Sequence, residues 1–199
     1  MPNPNVGMMY PVFAKLNSHT DGSMPTYGTG VVIQEARNAT ISKTYNDNPL
    51  YGDDRIVDDD NGLTAMTVSF EPTGISDSDR VLLFGETLKS GIGGLTAQVE
   101  MDNETPYGGF GYIRKMRDNG NYSYEGWIIL KIKFTEESQT TATKEQQITW
   151  NTPTLNGRAA AVDIDGSGKQ AFRVHASFET LSAAKSWLNT VLNVSSATT

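Results

Sequence analysis

The stretch Tyr122-Ser123-Tyr124-Glu125-Gly126-Trp127-Ile128-Ile129-Leu130-Lys131-Ile132-Lys133-Phe134 decides the fold class of this 199-residue chain. Tyr122, Tyr124, Gly126, Ile128, Leu130, Ile132 and Phe134 alternate along it, all apolar except the glycine, while Ser123, Glu125, Lys131 and Lys133 take the other side. That period of two predicts a β-strand with one dry face. Upstream, Asp118-Asn119-Gly120 supplies residues that accept positive φ, as a tight hairpin requires, so residues 111–117 are expected to run back as its antiparallel partner. Downstream, residues 140–150 are expected to return as a third, mostly polar strand after an acidic turn at Glu136-Glu137, burying only Ile148 and Trp150. Residues 110–156 therefore read as a meander, and the rest of the chain is organised around it.

Outward from there, 19 glycines and many Thr, Asn, Asp and Ser residues divide the chain into short segments with turn chemistry between them, the mark of a mainly β protein. At 21.7 kDa a single domain spanning residues 1–199 is long enough to bury its own core. After an N-terminal segment 1–7, a strand over 8–16 would place Met8, Tyr10, Val12, Ala14 and Leu16 on one face, with Pro11 implying an edge or an early bend. A long strand over 31–43 carries Arg37-Asn38 as a bulge or break, and Met66, Val68 and Phe70 alternate in another over 64–70. Ser76, three residues before Asp79, makes a capping pattern that opens a short flanking helix through Val81, Leu82, Leu83 and Phe84, closed by Gly85. Gly91-Ile92-Gly93-Gly94 leads into a strand over 97–101, and Phe172, Val174, Ala176 and Phe178 alternate near the end. Leu181, Ala184, Leu188 and Val191, flanked by Trp187 and Leu192, give a C-terminal helix over 180–194.

Residues 44–62 form the odd piece. They read as a long acidic loop, yet Leu50, Tyr51, Ile56 and Val57 sit among Asp53, Asp54, Asp58, Asp59 and Asp60, and a purely solvated loop has no use for them. An apolar grip framed by charge suits a contact with another subunit, so these nine residues are the interface candidates.

Composition narrows the function further. There are no cysteines, which removes disulfide frameworks and thiolate metal sites, and suits assembly in cytoplasm. A net charge of −7 and a pI near 4.8 argue against a protein that grips nucleic acid. Met1-Pro2-Asn3-Pro4-Asn5 lacks the basic and apolar regions of a signal peptide, and no apolar run reaches membrane length.

Chemistry-bearing motifs are weak throughout. Tyr51-Gly52-Asp53-Asp54 matches the magnesium-holding tetrapeptide of RNA-dependent polymerases, but without the second aspartate motif or the chain length of a palm. Asp163-Ile164-Asp165-Gly166-Ser167-Gly168 fills positions 1, 3, 5 and 6 of a calcium loop, yet Val174 stands where the closing glutamate belongs, so an aspartate-bearing glycine turn is the better reading. The run Asp58-Asp59-Asp60 cannot converge all its carboxylates on one metal. His19 and His175 read as surface histidines. The glycines at 91, 93, 94, 108, 109 and 111 read as turns, not a phosphate loop. Arg114, Lys115 and Arg117, with Lys131 and Lys133, suggest a cationic sheet face meeting solvent or an acidic neighbouring subunit. No catalytic, cofactor or metal residue is assigned.

Several segments together resemble one family. The run Gly108-Gly109-Phe110-Gly111-Tyr112-Ile113-Arg114-Lys115, then Asn119-Gly120, then Lys131-Ile132-Lys133-Phe134, and finally Thr152-Pro153-Thr154-Leu155-Asn156-Gly157, is similar to the major tail (tail tube) proteins of long, non-contractile-tailed bacteriophages. Val6-Gly7-Met8-Met9-Tyr10-Pro11-Val12-Phe13-Ala14 matches that family's first strand, and residues 51–61 its aromatic-then-acidic loop. The resemblance implies a β-sandwich or rolled barrel of antiparallel strands with a flanking helix. It further implies a structural virion protein, located in the tail, whose hexameric rings stack into the tube through which DNA is ejected. The long loop would reach a neighbouring subunit or ring. The implied partners are further copies of the chain, the tape-measure protein, and the tail tip and tail terminator proteins, with DNA passing through unbound. Two other readings are another β-rich virion component and a carbohydrate-binding β-sandwich. The latter needs Trp127, Trp150 or Trp187 to expose a flat ring, whereas all three lie beside apolar stripes.

Overall fold

The computed structural model describes residues 4–46, 49–53, 55–59, 62–100, 104–118, 120–138 and 152–195. Its first strand, β1 (Asn5–Ser18), is followed by the short β2 (Thr26–Tyr27) and β3 (Val31–Val32), then β4 (Ala36–Tyr45). Next come β5 (Pro49–Gly52), β6 (Arg55–Asp59), β7 (Leu63–Pro72) and helix α1 (Asp77–Phe84). The second half runs β8 (Thr87–Ile92), β9 (Leu95–Val99), β10 (Gly108–Asp118), β11 (Asn121–Ser138), β12 (Thr154–Ala159), β13 (Arg173–Phe178) and helix α2 (Leu181–Val191). Nine of the strands make one antiparallel sheet ordered β2-β1-β10-β11-β12-β7-β4, with β13 also on β11 and β3 also on β1. The hairpins β5–β6 and β8–β9 are separate two-stranded ladders. The architecture is mainly β, an antiparallel sheet rolled over a sandwich-like core with two short helices.

The expected hairpin forms between β10 and β11: Asp118 pairs with Asn121, and Gly120 has φ of 90°, while Asn119 lies outside the described residues. The dry face of β11 does not follow the simple alternation. Gly108 pairs with Ile132 and Phe110 with Ile129, so two residues advance on β10 while three advance on β11. This bulge flips the side-chain parity. Ile128 and Leu130 pack toward α2, whereas Ile129, Ile132 and Phe134 pack into the sandwich core. The strand therefore has two dry faces instead of one. The bulge sits where the neighbour changes, because Tyr124 to Ile129 pair with β13 and Ile132 onward with β12.

A second bulge re-aims β1. Met9 pairs with Ile113 and Val12 with Gly111, and Tyr10 between them has φ of 55°. Val12 and Ala14 face α2 and Phe13 enters the sandwich core, but Met8 joins Phe13's side, apart from Tyr10. Pro11 marks this bulge, not a sheet edge, since its carbonyl accepts from the N–H of Ile33. The strand also starts at Asn5, where pairing with Met116 begins, so the expected N-terminal segment 1–7 is partly strand.

Between the layers, the ring of Phe110 lies 5.2 Å from both Phe70 and Phe134. Leu83 of α1 is fully buried against this cluster. Helix α1 has the expected ends: Ser76 and Asp79 form a reciprocal capping box, and Gly85 closes it at φ of 74°. On the opposite face α2 buries Ala184, Leu188 and Leu192 against Val12, Ile113, Ile128 and Leu130. Gly109 and Gly111 lie within β10, not in turns as expected. A Cβ on Gly111 would come 2.7 Å from Leu192 Cδ1, and one on Gly109 2.7 Å from Leu192 Cδ2, so their bare backbone is the floor on which the helix rests.

Glu136-Glu137 is not a turn: both lie in β11, and Glu136 pairs with Leu155. The expected strand over 140–150, with Ile148 and Trp150, lies outside the described residues. The third strand of the meander that is described is β12, which holds Thr154-Leu155-Asn156-Gly157 and joins β11 to β7. Val68 and Phe70 lie in β7. The single strand expected over 31–43 is instead two, β3 paired with β1 and β4 paired with β7, because the chain crosses between neighbours at residues 33–35. The bulge suggested by Arg37-Asn38 falls in β4 at residues 36–38.

Candidate functional site

The acidic segment 44–62 is a hairpin, not a loop. Beyond the pair Tyr45–Leu63, where the N–H of Asn46 donates to the carbonyl of Gly62 at 2.7 Å, the chain continues as β5 and β6. Gly52 pairs with Arg55 across a two-residue turn, and Asp53 accepts the left-handed conformation at φ of 50°. Leu50 pairs with Asp58 but Tyr51 with Ile56, which leaves Val57 as the extra residue of a bulge. Of the nine interface candidates, Leu50, Tyr51, Ile56, Val57, Asp58 and Asp59 lie on the two strands and Asp53 in the turn. Asp54 and Asp60 lie outside the described residues. Tyr51 is 67% exposed and Val57 61%. A two-stranded ladder gains little from its own burial, and these two apolar side chains stay in solvent.

A second hairpin also exposes apolar side chains, and only its later strand was expected. In β8–β9, Thr87 pairs with Val99 and Ile92 with Leu95, around a tip where Gly91, Gly93 and Gly94 all have positive φ. Leu88 is 57% exposed, Ile92 51% and Leu95 73%. The glycine cluster was the available signal. Thr87-Leu88-Lys89-Ser90 before it has no alternation to mark a strand, and the second strand ends at Val99, short of the expected 101.

The base of this hairpin is held by Arg80 of α1. Its guanidinium, 13% exposed, donates to Glu86 at 3.0 Å and to both carboxylate oxygens of Glu136 at 2.9 Å, and lies 3.9 Å from Glu100. Burial alone would lower the Arg80 pKa. The hydrogen bonds from Glu86 and Glu136, with their charges, outweigh it and hold the group above the ordinary arginine value. Glu86 directly precedes β8 and Glu100 directly follows β9, while Glu136 belongs to the main sheet. Gln98 also donates from Nε2 to the carbonyl of Asp77.

The calcium-like turn uses its carboxylates internally. Asp163, 7% exposed, accepts from the N–H groups of Asp165 and Gly166 through Oδ1 and of Gly168 through Oδ2. Asp165 accepts from the Ser167 N–H at 3.0 Å, and its hydrogen bonds with Ser167 hold its pKa below the usual carboxylate value. The turn is thus a self-capped structure. Among the described residues no three His, Asp or Glu side chains converge as metal ligands.

Of the two histidines, His19 is not a surface residue: its side chain is mostly buried, with Nε2 3.1 Å from the Asp163 carbonyl. His175 is exposed as expected, and stacks on Trp127 at 4.2 Å between ring centroids. Of the expected cationic residues, Lys115 and Arg117 lie together over Tyr122, and Lys131 and Lys133 together over Tyr107, with Glu104 bonded to Lys133. Arg114 leaves the group: next to Lys115 in β10 it takes the other side of the sheet, beside Glu125 and near the Trp127 ring. Trp127 is buried and Trp187 packs half-buried against Phe178, so neither offers a flat ring to a sugar; Trp150 lies outside the described residues.

Among the described residues no helix is long and apolar enough to cross a membrane. Compared with known proteins, the chain matches no protein-family model and no curated protein sequence.

Proposed function

We propose that the chain is the tail tube subunit of a long, non-contractile bacteriophage tail, a structural virion protein that closes hexameric rings and stacks them into the conduit for DNA. One observation carries this reading beyond the sequence resemblance. The β5–β6 hairpin stands off the main sheet, makes no ladder with it, and exposes Tyr51 and Val57 within an acidic frame. An arm of this kind supplies the heterologous contact, one patch on a different patch, that open-ended stacking requires. The rest of the chain supports a rigid wall element, since the rolled sheet is packed on both faces. With a net charge of −7, a ring of such subunits repels the phosphate backbone and lets DNA slide past without sticking. The tape-measure protein inside the tube, and the tip and terminator proteins at its ends, are the partners this role requires.

The test is negative-stain electron microscopy of the purified protein over a concentration series, with light scattering alongside. Rings with a central hole, or stacked tubes, are the expected result. Deletion of residues 47–60 then blocks stacking and leaves a folded monomer. A protein that stays monomeric and also fails to add to purified tail tips overturns the proposal.

A further inference from the structure

We infer that the β8–β9 hairpin of one copy docks against the β5–β6 hairpin of a second copy, head to tail, and that Arg80 is the positioning residue that aims it. The two hairpins leave opposite ends of the β4–β7 ladder. β5–β6 grows from the end at Tyr45 and Leu63, whereas α1 and then β8 follow the end at Ala36 and Pro72. Ten residues of β7 separate these ends, about 30 Å at strand rise, which sets the bases of the two hairpins apart within one chain. Between copies they match. Leu88, Ile92 and Leu95 on one offer apolar surface to Tyr51 and Val57 on the other. Lys89 is the one charged residue between Thr87 and Val99, and it faces a hairpin whose sequence sets Asp53, Asp58 and Asp59 against the single Arg55. A contact between different patches at opposite ends yields an open linear stack wherever the rotation between copies does not close a ring.

The clasp gives the arm its direction. Arg80 ties Glu86, at the hairpin's first flank, to Glu136 of the sheet, and lies 3.9 Å from the exposed Glu100 at its second flank. A hairpin left to solvent gains nothing from so complete a mounting, while one that must meet a partner at a fixed angle avoids losing orientational entropy on docking. Such pairing rests on the self-association proposed above but requires neither six-fold rings nor a tube.

The chain has no cysteine, which makes the contact directly trappable. Leu95→Cys and Tyr51→Cys, both at exposed positions, are prepared separately, mixed at millimolar protein and treated with a short bismaleimide, which tolerates more separation than a disulfide. The expected result is a covalent dimer in the mixture and little in either variant alone. A dimer of Leu95→Cys alone at equal yield indicates a symmetric contact and overturns the inference, as does the lack of any cross-link. Arg80→Gln is expected to speed hydrogen exchange over residues 87–99 and reduce the cross-link while exchange in β10 and in residues 122–132 of β11, away from Glu136, stays unchanged. Leu95→Ser, which touches no core residue, reduces association with the clasp intact. Unchanged exchange over 87–99 in Arg80→Gln overturns the positioning role. Tubes that give no cross-link between the two hairpins reject this contact and leave the tube reading in place. A cross-link without rings does the reverse.

Discussion

Strand β11 and the hairpin β5–β6 are both antiparallel ladders, yet they place their apolar side chains in opposite ways. In β11 the run Ile128, Ile129, Leu130, Ile132 and Phe134 is wholly removed from solvent, shared between two cores by a bulge. In β5–β6, where a bulge also interrupts the ladder, Tyr51 and Val57 remain mostly in water. A bulge by itself therefore says nothing about burial. In β11 it lets one strand serve a helix on one side and a rolled sheet on the other; in the hairpin it leaves Tyr51 and Val57 in solvent. The difference separates residues that stabilise the fold from residues that the fold leaves in solvent.

The comparison breaks first if the core is not where the stability lies. Phe134→Ala removes a fully buried ring that packs edge-on against Phe13 and Phe110. It is expected to cost about 3–5 kcal/mol in urea or guanidinium unfolding. A loss within about 0.5 kcal/mol, the usual value for a surface position, would put the ring outside the cooperative core. Gly111→Val tests the second core. Its new side chain meets Leu192 and Leu188 of α2, and overpacking of this kind costs about 1–3 kcal/mol. Leu192→Ala in the same background is expected to return part of that loss, because the two positions share one contact.

These two sites also mark what the sequence made legible. The alternation through Phe134, the Asn119-Gly120 turn, the Ser76 and Asp79 capping box and the α2 stripe are local patterns, and they gave the mainly β class and both helices. The bulges at Tyr10 and near Leu130 were not legible, since parity depends on which strand lies alongside, and β11 changes partner midway. The glycines of β10 resembled turn formers because their reason is a helix some 80 residues later in the chain. In the candidate site, Tyr51 and Val57 were singled out by apolar character in an acidic context, which sequence displays directly. Arg80 was not, because its three carboxylate neighbours come from separate segments, and neither was the β8 strand, which lacks a two-residue period.

A smaller effect is expected at the seam between the regions. The buried Tyr27 hydroxyl donates to the carbonyl of Leu130 at 2.7 Å, at the β11 bulge. Tyr27→Phe is expected to cost about 0.5–1.5 kcal/mol at neutral pH. Burial pushes the Tyr27 phenol above its ordinary value. The unfolded chain ionises near pH 10, so this stability is complete below about pH 10 and is lost as pH rises toward the folded value. The wild type therefore loses stability more steeply than Tyr27→Phe in alkaline unfolding titrations. Parallel slopes would show that this phenol does not stay protonated in the fold.

The smallest change in monomer stability is expected where the change in assembly is largest. Tyr51→Ser with Val57→Ser alters two side chains that bury little of themselves, so unfolding free energy should stay within about 0.5 kcal/mol of wild type. Light scattering of the same sample should nonetheless show association displaced to higher concentration. The pairing of the two measurements matters more than either. If unfolding falls by more than that margin, the hairpin packs against its own chain and its exposed side chains are not reserved for a partner. If unfolding and association are both unchanged, β5–β6 contributes to neither, and the contrast with β11 is one of burial without consequence for function.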